Sequence, residues 1–331
     1  MRKPQFCTRL PSVTELSNSN RLGVRWGLAG GVALASVAAV REAAVFARDA
    51  GFDGLWVSHA NAVDPIVALA AVAADAPGLA EVGTSVVPLY GRHPIGLAQQ
   101  ARTAQSAWNG RFTLGIGPSH ARQVEGALGL SWDRPFGFTS EFIAGMKPLL
   151  EGAAVDVEGS QLSAHGDLNI EAARTPILLA ALGPRMLRLA GTEVDGTTVG
   201  QCGPTTIANH IVPVLHEAAD VAGRPAPRVM ALVRICVTDD HAGAYALAQE
   251  VGAFYRDLPS YAAVLAKEGL EDPADLHLIG SWDRVLDGLA SYADAGVTDL
   301  RIEVVAHNDD ARADTRRALA DYLSSQPRSA R

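Results

Sequence analysis

Residues suited to acid–base chemistry follow several short apolar runs in this sequence. His59, Tyr90 and His120 each come shortly after such a run, and Arg234 interrupts an apolar stretch further along. An imidazole titrates near neutral pH, so a histidine in such a place could give or take a proton. The carboxyl ends of parallel strands are where α/β proteins place their chemistry. We therefore predict catalytic roles for His120 and His59, and expect Arg234 to face the site or a buried partner.

Two glycine-proline pairs open predicted helices and are candidate anion sites. They are Gly183-Pro184-Arg185 and Gly203-Pro204-Thr205. The free amides and the dipole at a helix N-terminus favour a phosphate. Gly-Pro is also a common helix opener, so neither pair is specific by itself. Gly115-Ile116-Gly117 lacks the third glycine of a dinucleotide fingerprint, and we interpret it as a close approach of the backbone to a ligand.

Other classes of chemistry find little support. His59, His93 and His120 could converge, but no carboxylate or cysteine accompanies them at ligand spacing, so we expect no metal. Neither a nucleophile elbow nor a paired-carboxylate arrangement is present. Three widely spaced cysteines indicate a reducing compartment. A net charge of −8 over 331 residues leaves no electrostatic footprint for a nucleic-acid partner.

Strands and helices alternate along the chain and would position these residues. Eight apolar strands, each followed by a helix, are predicted at 21–25, 54–57, 84–88, 112–116, 176–181, 196–199, 229–237 and 299–305. Continuous apolar strands are typical of a parallel sheet covered on both faces. Eight such units predict an α/β fold, a (β/α)8 TIM barrel, with a small inserted hairpin at 155–164. A single domain would span 21–325, after a loose extension at 1–20.

The apolar run at 28–40 superficially resembles the core of a secretion signal. It is too short to cross a bilayer, and it continues into an amphipathic helix. We expect no membrane association and a soluble, cytoplasmic protein.

Several motifs spread over 21–305 resemble the luciferase-like monooxygenase superfamily. They include Gly-Thr-Ser-Val at 83–86, Arg-His-Pro at 92–94, Leu-Gly-Ile-Gly at 114–117 and Leu-Gly-Pro-Arg at 182–185. The sequence is most similar to the branch that uses the deazaflavin coenzyme F420. The segments at 129–135 and 164–166 add to that closer match.

The resemblance implies a barrel with an inserted hairpin, a deazaflavin ring across its mouth, and a homodimer. It also implies a non-proline cis peptide at Ser85-Val86. The positions that match the family's cofactor site are His59, Ser85, Val86, Gly115, Gly117 and Gln123 near the ring, and Leu182, Gly183, Pro184, Arg185, Gln201, Cys202 and Gly203 toward the phosphate tail.

The sequence departs from the sugar-phosphate dehydrogenases of this branch at two places. His120 stands where those enzymes have a glutamate after the fourth strand, and Pro204 stands where they have a lysine after the sixth. We therefore do not expect a sugar phosphate as substrate. His120 becomes the candidate proton donor.

The predicted activity is hydride transfer between C5 of F420 and an electrophilic carbon of a small-molecule or peptide-like substrate. That carbon would belong to an activated alkene, an imine or a ketone. Candidate substrate contacts are the aromatic residues Trp26, Tyr90, Trp132, Phe254 and Tyr261. Two alternatives stay open: an FMN-dependent monooxygenase on the same fold, and a non-catalytic flavin-binding homologue.

Overall fold

A computed structural model describes residues 22–31, 34–256 and 258–326 of the chain. Its strands are β1 (Arg25–Gly30), β2 (Gly54–Val57), β3 (Glu81–Thr84), β4 (Val87–Pro88), β5 (Phe112–Gly117), β6 (Val155–Glu158), β7 (Ser163–Gly166), β8 (Ile177–Ala180), β9 (Gly196–Val199), β10 (Arg228–Val237), β11 (Leu278–Gly280) and β12 (Asp299–Val304). The predicted extension at 1–20 lies outside the described residues.

Helices follow the strands in the order expected of a barrel. They are α1 (Val37–Asp49), α2 (Pro65–Ala71), α3 (Pro94–Ala107), α4 (Ala121–Gly126), α5 (Pro135–Leu150), α6 (Pro184–Glu193), α7 (Pro204–Thr206), α8 (Val212–Val221), α9 (His241–Arg256), α10 (Pro259–Glu268), α11 (Trp282–Asp294) and α12 (Asp309–Ser325). A π-helical turn, Ile207–Ile211, joins α7 to α8, and a 3-10 turn covers Pro273–Leu276.

The sheet closes on itself, which confirms the predicted (β/α)8 barrel. The wall runs β1, β2, β3, β5, β8, β9, β10 and β12, all in parallel, and β12 pairs with β1. β4 extends the wall by pairing with β5, and β11 adds to the edge of β10. β6 and β7 form the predicted hairpin between α5 and β8. The loops that follow the eight wall strands therefore meet at one mouth of the barrel.

The first strand lies later than predicted, and this changes the position of Trp26. β1 begins at Arg25 instead of occupying 21–25, and Arg25 pairs in register with Asp299. Trp26 is 0% exposed and its ring lies 5.2 Å from that of Tyr322 on α12. It therefore packs in the layer between sheet and helices, and its predicted contact with substrate is wrong.

Two further boundaries differ from the prediction. The third strand begins at Glu81, and the predicted run at 84–88 is divided into β3 and β4 by the Ser85-Val86 peptide. The glycine in β3 and the charge at its start hide this strand from a search for apolar runs. The segment between β5 and the hairpin also holds two helices, because α4 covers Ala121–Gly126 and α5 begins at Pro135.

A network of four charged side chains closes the amino end of the barrel. Arg228 lies 2.7 Å from Glu81 and 2.7 Å from Asp299, and Arg25 bridges the same two carboxylates at 3.0 and 2.6 Å. Burial alone would raise the pKa of both carboxyls, but the two guanidinium groups outweigh it and hold both pKa values below their usual range. The network links β1, β3, β10 and β12 across the interior.

Removing one cation from this network should be far more costly than removing a surface cation. We expect Arg228→Met to lower the free energy of unfolding by about 3–5 kcal/mol, because two buried carboxylates lose their main partner. Arg41→Met is the matched control, since Arg41 forms an exposed pair with Asp75 at 2.9 Å, and it should cost at most about 1 kcal/mol. Urea unfolding measures both, and equal losses would contradict this account.

The same network predicts how the defect depends on pH. In the native chain the folded pKa values of Glu81 and Asp299 are lowered, so their contribution is present at neutral pH and is lost as pH falls through those values. In Arg228→Met the two carboxyls lose the main cation that lowers their pKa values, and burial then favours their neutral form. The difference in unfolding free energy between the two proteins should therefore narrow as the pH falls from 7 toward 4. A constant difference across urea titrations at these pH values would argue against the network.

Candidate active site

The end of β3 forms the floor of the barrel mouth, and contacts from three other strands fix it. The Ser85-Val86 peptide is cis, as the resemblance implied. The Ser85 carbonyl accepts hydrogen bonds from the Ser58 hydroxyl at 2.7 Å and from the Arg301 guanidinium at 2.6 Å. The Ser85 hydroxyl lies 3.0 Å from the Thr198 hydroxyl. Ser85 and Val86 therefore sit at the centre of the mouth on a rigid support.

The two glycines of β5 allow this floor to pack against its neighbour strand. A Cβ at Gly115 would lie 2.0 Å from the Thr84 carbonyl, so the close approach is to the protein's own backbone and not to a ligand, which corrects that interpretation. At Gly117 a Cβ would lie 3.0 Å from Val86 and 3.1 Å from Ala180. The lack of a side chain at Gly117 therefore leaves room for the side chains of Val86 and Ala180.

His59 stands on the β2 side of the mouth. Its backbone N–H donates to the Val86 carbonyl at 3.2 Å, which ties it to the floor. Burial lowers the pKa of its imidazole, and the nearby positive charge of Arg92 lowers it further. Arg92 is itself paired with Asp64 at 2.8 Å. A neutral His59 at physiological pH can donate or accept one hydrogen bond beside Val86, and its predicted contact with a cofactor stays a prediction.

His120 lies against two of the aromatic residues that were predicted to contact substrate. Its ring centroid lies 5.9 Å from that of Phe254 and 5.8 Å from that of Tyr261. Tyr255 packs on Tyr261 at 4.9 Å, so residues from α9 and α10 enclose the imidazole. This enclosure lowers the pKa of His120, because burial disfavours its charged form. Gln123 follows one turn later, on the exposed side of α4.

The loop after β8 has the features of an anion site. Gly183 precedes α6, no side chain caps that helix, and a Cβ on Gly183 would meet no described atom within 4 Å. Arg185 stands in the first turn with its guanidinium 4.2 Å from the centre of the Phe136 ring. His210 lies 3.0 Å from the Leu182 carbonyl and fixes the loop. Open amides and a nearby cation fit a phosphate group.

The second predicted anion site, at Gly203, is already filled by the protein. The Glu268 carboxylate accepts hydrogen bonds from the amides of Thr205 and Thr206 at 3.0 and 2.8 Å. A Cβ at Gly203 would lie 2.3 Å from Glu268. The prediction that this helix start receives a phosphate is therefore wrong.

Cys202 and Gln201 also differ from their predicted place beside a phosphate tail. Cys202 is a core residue, and burial strongly raises the pKa of its thiol. Gln201 is 4% exposed, and its side-chain amide nitrogen is buried without a hydrogen-bond partner among the described residues. Gln201 lines a small cavity that it shares with Arg234 and His277.

The remaining predicted substrate contacts form a cluster beside the mouth. The Tyr90 ring stacks on Phe138 at 4.2 Å and lies 5.1 Å from the Trp132 ring. Tyr90 is only 5% exposed, so most of its surface serves packing. Trp132 is the more accessible of the two.

Charged residues on β10 and β12 complete the mouth, and sequence reasoning found only one of them. Arg234, which was expected to face the site or a buried partner, does both: its Nε donates to Glu303 at 2.8 Å, and its guanidinium lies 5.7 Å from the centre of the Tyr255 ring. Glu303 and Arg301 were missed. Their signal was the alternation of charge within the last apolar strand, which places Asp299, Arg301 and Glu303 on one face.

The described residues contain no group of three or more His, Cys, Asp and Glu side chains arranged to hold a metal ion. His93, one of the three histidines that could have converged, instead lies 3.0 Å from the Ser163 carbonyl of the hairpin. No helix among the residues that the structure covers is both long and apolar enough to cross a membrane.

Comparisons with known proteins agree with this geometry. Residues 20–299 match the luciferase-like monooxygenase family. The chain is 30% identical over 242 residues to the 5,10-methylenetetrahydromethanopterin reductase of Methanolobus tindarius, covering 72% of this chain and 73% of that protein. It is 29% identical over 317 residues to the F420-dependent glucose-6-phosphate dehydrogenase of Beutenbergia cavernae, covering 84% and 89%.

Solved structures agree on the fold. The F420-dependent tetrahydromethanopterin reductase of Methanopyrus kandleri superposes with a TM-score of 0.76 at 21% identity, over 91% of this chain and 97% of that one. An F420-dependent secondary alcohol dehydrogenase, solved with an F420-acetone adduct, gives a TM-score of 0.77 at 17% identity, over 91% and 97%. The chain belongs to the luciferase-like monooxygenase family.

The aromatic enclosure predicts a measurable property of His120. We expect the imidazole pKa of His120, followed by NMR, to lie below the usual 6.5. Tyr261→Ala should raise it toward that value, because water would reach the ring. Tyr245→Ala is the control, since Tyr245 lies on α9 and stacks on His241 instead. A His120 pKa that is the same in the native protein and in Tyr261→Ala would show that Tyr261 does not shield the imidazole from water.

Proposed function

We propose that this protein is an oxidoreductase that uses coenzyme F420 to transfer a hydride to or from an electrophilic carbon of a small molecule. The observation that carries the proposal is the β8 loop with its open α6 amides and Arg185, set beside a mouth whose floor is Ser85-Val86. The relative that spans most of the chain is named as F420-dependent, which supports this choice of cofactor.

The residues present fit a deazaflavin with a phosphorylated tail. Ser85, Val86 and Gly117 would support the ring, and the Gly183 loop with Arg185 would hold the phosphate. His59, held beside Val86, would contact the ring edge. When bound, F420 supplies C5 as the hydride donor or acceptor.

His120 would handle the proton that accompanies hydride transfer. Phe254 and Tyr261 enclose its ring and shield it from bulk water. Its lowered pKa keeps it neutral near pH 7, so a step that needs the imidazolium should speed up as the pH falls toward that pKa. The burial that lowers the pKa therefore sets the pH range of the reaction.

An FMN-dependent monooxygenase is the second candidate. A 3,6-diketocamphane monooxygenase solved with FMN has the same fold, with a TM-score of 0.70 at 20% identity. The two candidates differ in the tail and in the ring of the cofactor, so direct binding separates them. We also propose a homodimer in the cytoplasm, which size-exclusion chromatography with light scattering and cell fractionation would test.

Cofactor titration tests the proposal. We expect F420 to bind with a change in its fluorescence, and Arg185→Met to weaken binding at least ten-fold, because the phosphate loses a cation. A deazaflavin that lacks the phosphate should bind the native protein and Arg185→Met equally well. Arg188→Met is the matched control, since Arg188 is exposed one turn later on α6, and it should bind F420 normally. Tight binding of FMN with none of F420 would overturn the proposal in favour of the second candidate.

A further inference from the structure

The inner wall of the mouth at β10 and β12 carries more positive charge than its own carboxylate can balance. The strands pair so that Leu232 lies beside Arg301, and Arg234 beside Glu303. Alternation therefore points both arginines and Glu303 to the same side of the wall. Two guanidinium groups face one carboxylate, which leaves one positive charge without a partner.

Nearby carboxylates do not supply the missing charge. Glu268 keeps its negative charge and acts on Tyr292, but its carboxylate is bound by the amides of Thr205 and Thr206 and forms no ion pair with Arg234 or Arg301 among the described residues. Asp272 acts on His277, but it is paired with Arg256 at 3.0 Å. Among the described residues, Glu303 is thus the carboxylate that pairs with this wall.

Arg301 is fixed in place and stays charged. One of its terminal nitrogens donates to the Ser85 carbonyl at 2.6 Å, and its Nε is buried without a partner among the described residues. Burial lowers its pKa to about 10, partly opposed by Glu303, so it remains a cation at neutral pH. Arg301 therefore supplies a fixed positive potential to the wall.

Arg234 has the donors that could receive an anion. Its Nε is used by Glu303, but neither terminal nitrogen makes a hydrogen bond to any described residue. Arg234 is nevertheless 8% exposed and lies inside the mouth. A planar guanidinium with two free N–H groups matches the two oxygens of a carboxylate.

Unpartnered polar groups converge beside Arg234. A cavity of about 10 Å³ is lined by Gln201, Arg234, His277 and Tyr292, which is at the lower limit for one oxygen atom or water. The side-chain amide nitrogen of Gln201 and Nε2 of His277 are buried there without partners among the described residues. The Gln201 amide nitrogen can only donate and therefore needs an acceptor atom, while Nε2 of a neutral His277 donates or accepts according to its tautomer.

We propose that Arg234 and Gln201 bind a carboxylate group of the substrate, under the positive potential of Arg301. One unbalanced charge suits a monoanion better than a phosphate dianion, which would leave the wall negative. Tyr255 and Tyr261 lie over this position and would cover the apolar part next to the carboxylate. The substrate class is thus an unsaturated or imino carboxylate, and this assignment rests on the proposed function because the same molecule would exchange the hydride.

Binding of matched small molecules tests the assignment directly. The probes are trans-cinnamate, its neutral amide and 2-phenylvinylphosphonate, together with the smaller pair crotonate and crotonamide. Isothermal titration on the F420-loaded full chain and on the chain without cofactor gives each Kd. We expect the carboxylate of at least one pair to bind ten-fold or more tightly than its amide, and the phosphonate to bind more weakly than cinnamate.

Variants that are expected to change the affinity for the carboxylate in opposite directions identify the residue responsible. Arg234→Met should weaken carboxylate binding at least ten-fold, and Arg234→Lys, which keeps a charge for Glu303 and so protects folding, should weaken it less. Glu303→Gln should tighten it, because the competing carboxylate is gone. Arg317→Met is the matched control, since Arg317 forms an exposed pair with Asp314 at 2.9 Å on α12, and it should change nothing.

The outcomes separate this inference from the proposed function. Equal binding of carboxylates and amides in both pairs, or unchanged carboxylate binding in Arg234→Lys and Arg234→Met alike, would overturn the inference while F420 binding stood. A carboxylate preference that depends on Arg234 in a protein that ignores F420 would support the carboxylate site and overturn the cofactor proposal instead.

Discussion

The buried ion network at the amino end of the barrel is the constraint on which the rest of the interior depends. Arg25 and Arg228 bind the same two carboxylates, Glu81 and Asp299, so each charge in the network has opposite charges on two sides. Four charges can remain buried only with such complete pairing. The network fixes the register of β1, β3, β10 and β12 relative to one another. It thereby fixes the position of the interior residues of these strands along the barrel axis.

Side chains alternate along each strand, so the network also sets what reaches the mouth. On β10 one face carries Arg228, Met230, Leu232 and Arg234 in turn, from the closed end to the mouth. Met230 packs with Trp56 and Leu178 in an apolar layer between the two polar ends. A slip of one residue would send the arginines into the helix layer and apolar residues into the mouth. Stability at one end and chemistry at the other thus depend on one register.

The sequence predicted the parts of this structure that rest on local pattern. Strand–helix alternation predicted the eight-stranded barrel, and the resemblance to a known family implied the cis peptide at Ser85-Val86. Trp26 was misplaced because a glycine-rich strand carries a weak apolar signal and its start was set four residues early. Glu268, which fills the α7 start, lies 63 residues from Thr205, and Arg301 lies 216 residues from Ser85. No local pattern encodes such pairings, because only closure of the barrel brings these residues together.

The two ends of the barrel use the same chemical groups and differ in how completely these are paired. At the closed end two guanidinium groups meet two carboxylates, and both carboxylates are bound by both cations. At the mouth Arg234 and Arg301 are even less exposed, yet among the described residues Arg234 pairs with Glu303 and no ion pair reaches Arg301. The closed end also keeps one donor without a partner in the part of the chain that the structure describes, Nε of Arg25, so the two ends differ in their balance of charge and not in the presence of unpaired donors. A buried guanidinium without a balancing carboxylate costs free energy in the empty protein, and a residue that carries this cost at a barrel mouth has a reason to do so when an anion binds there.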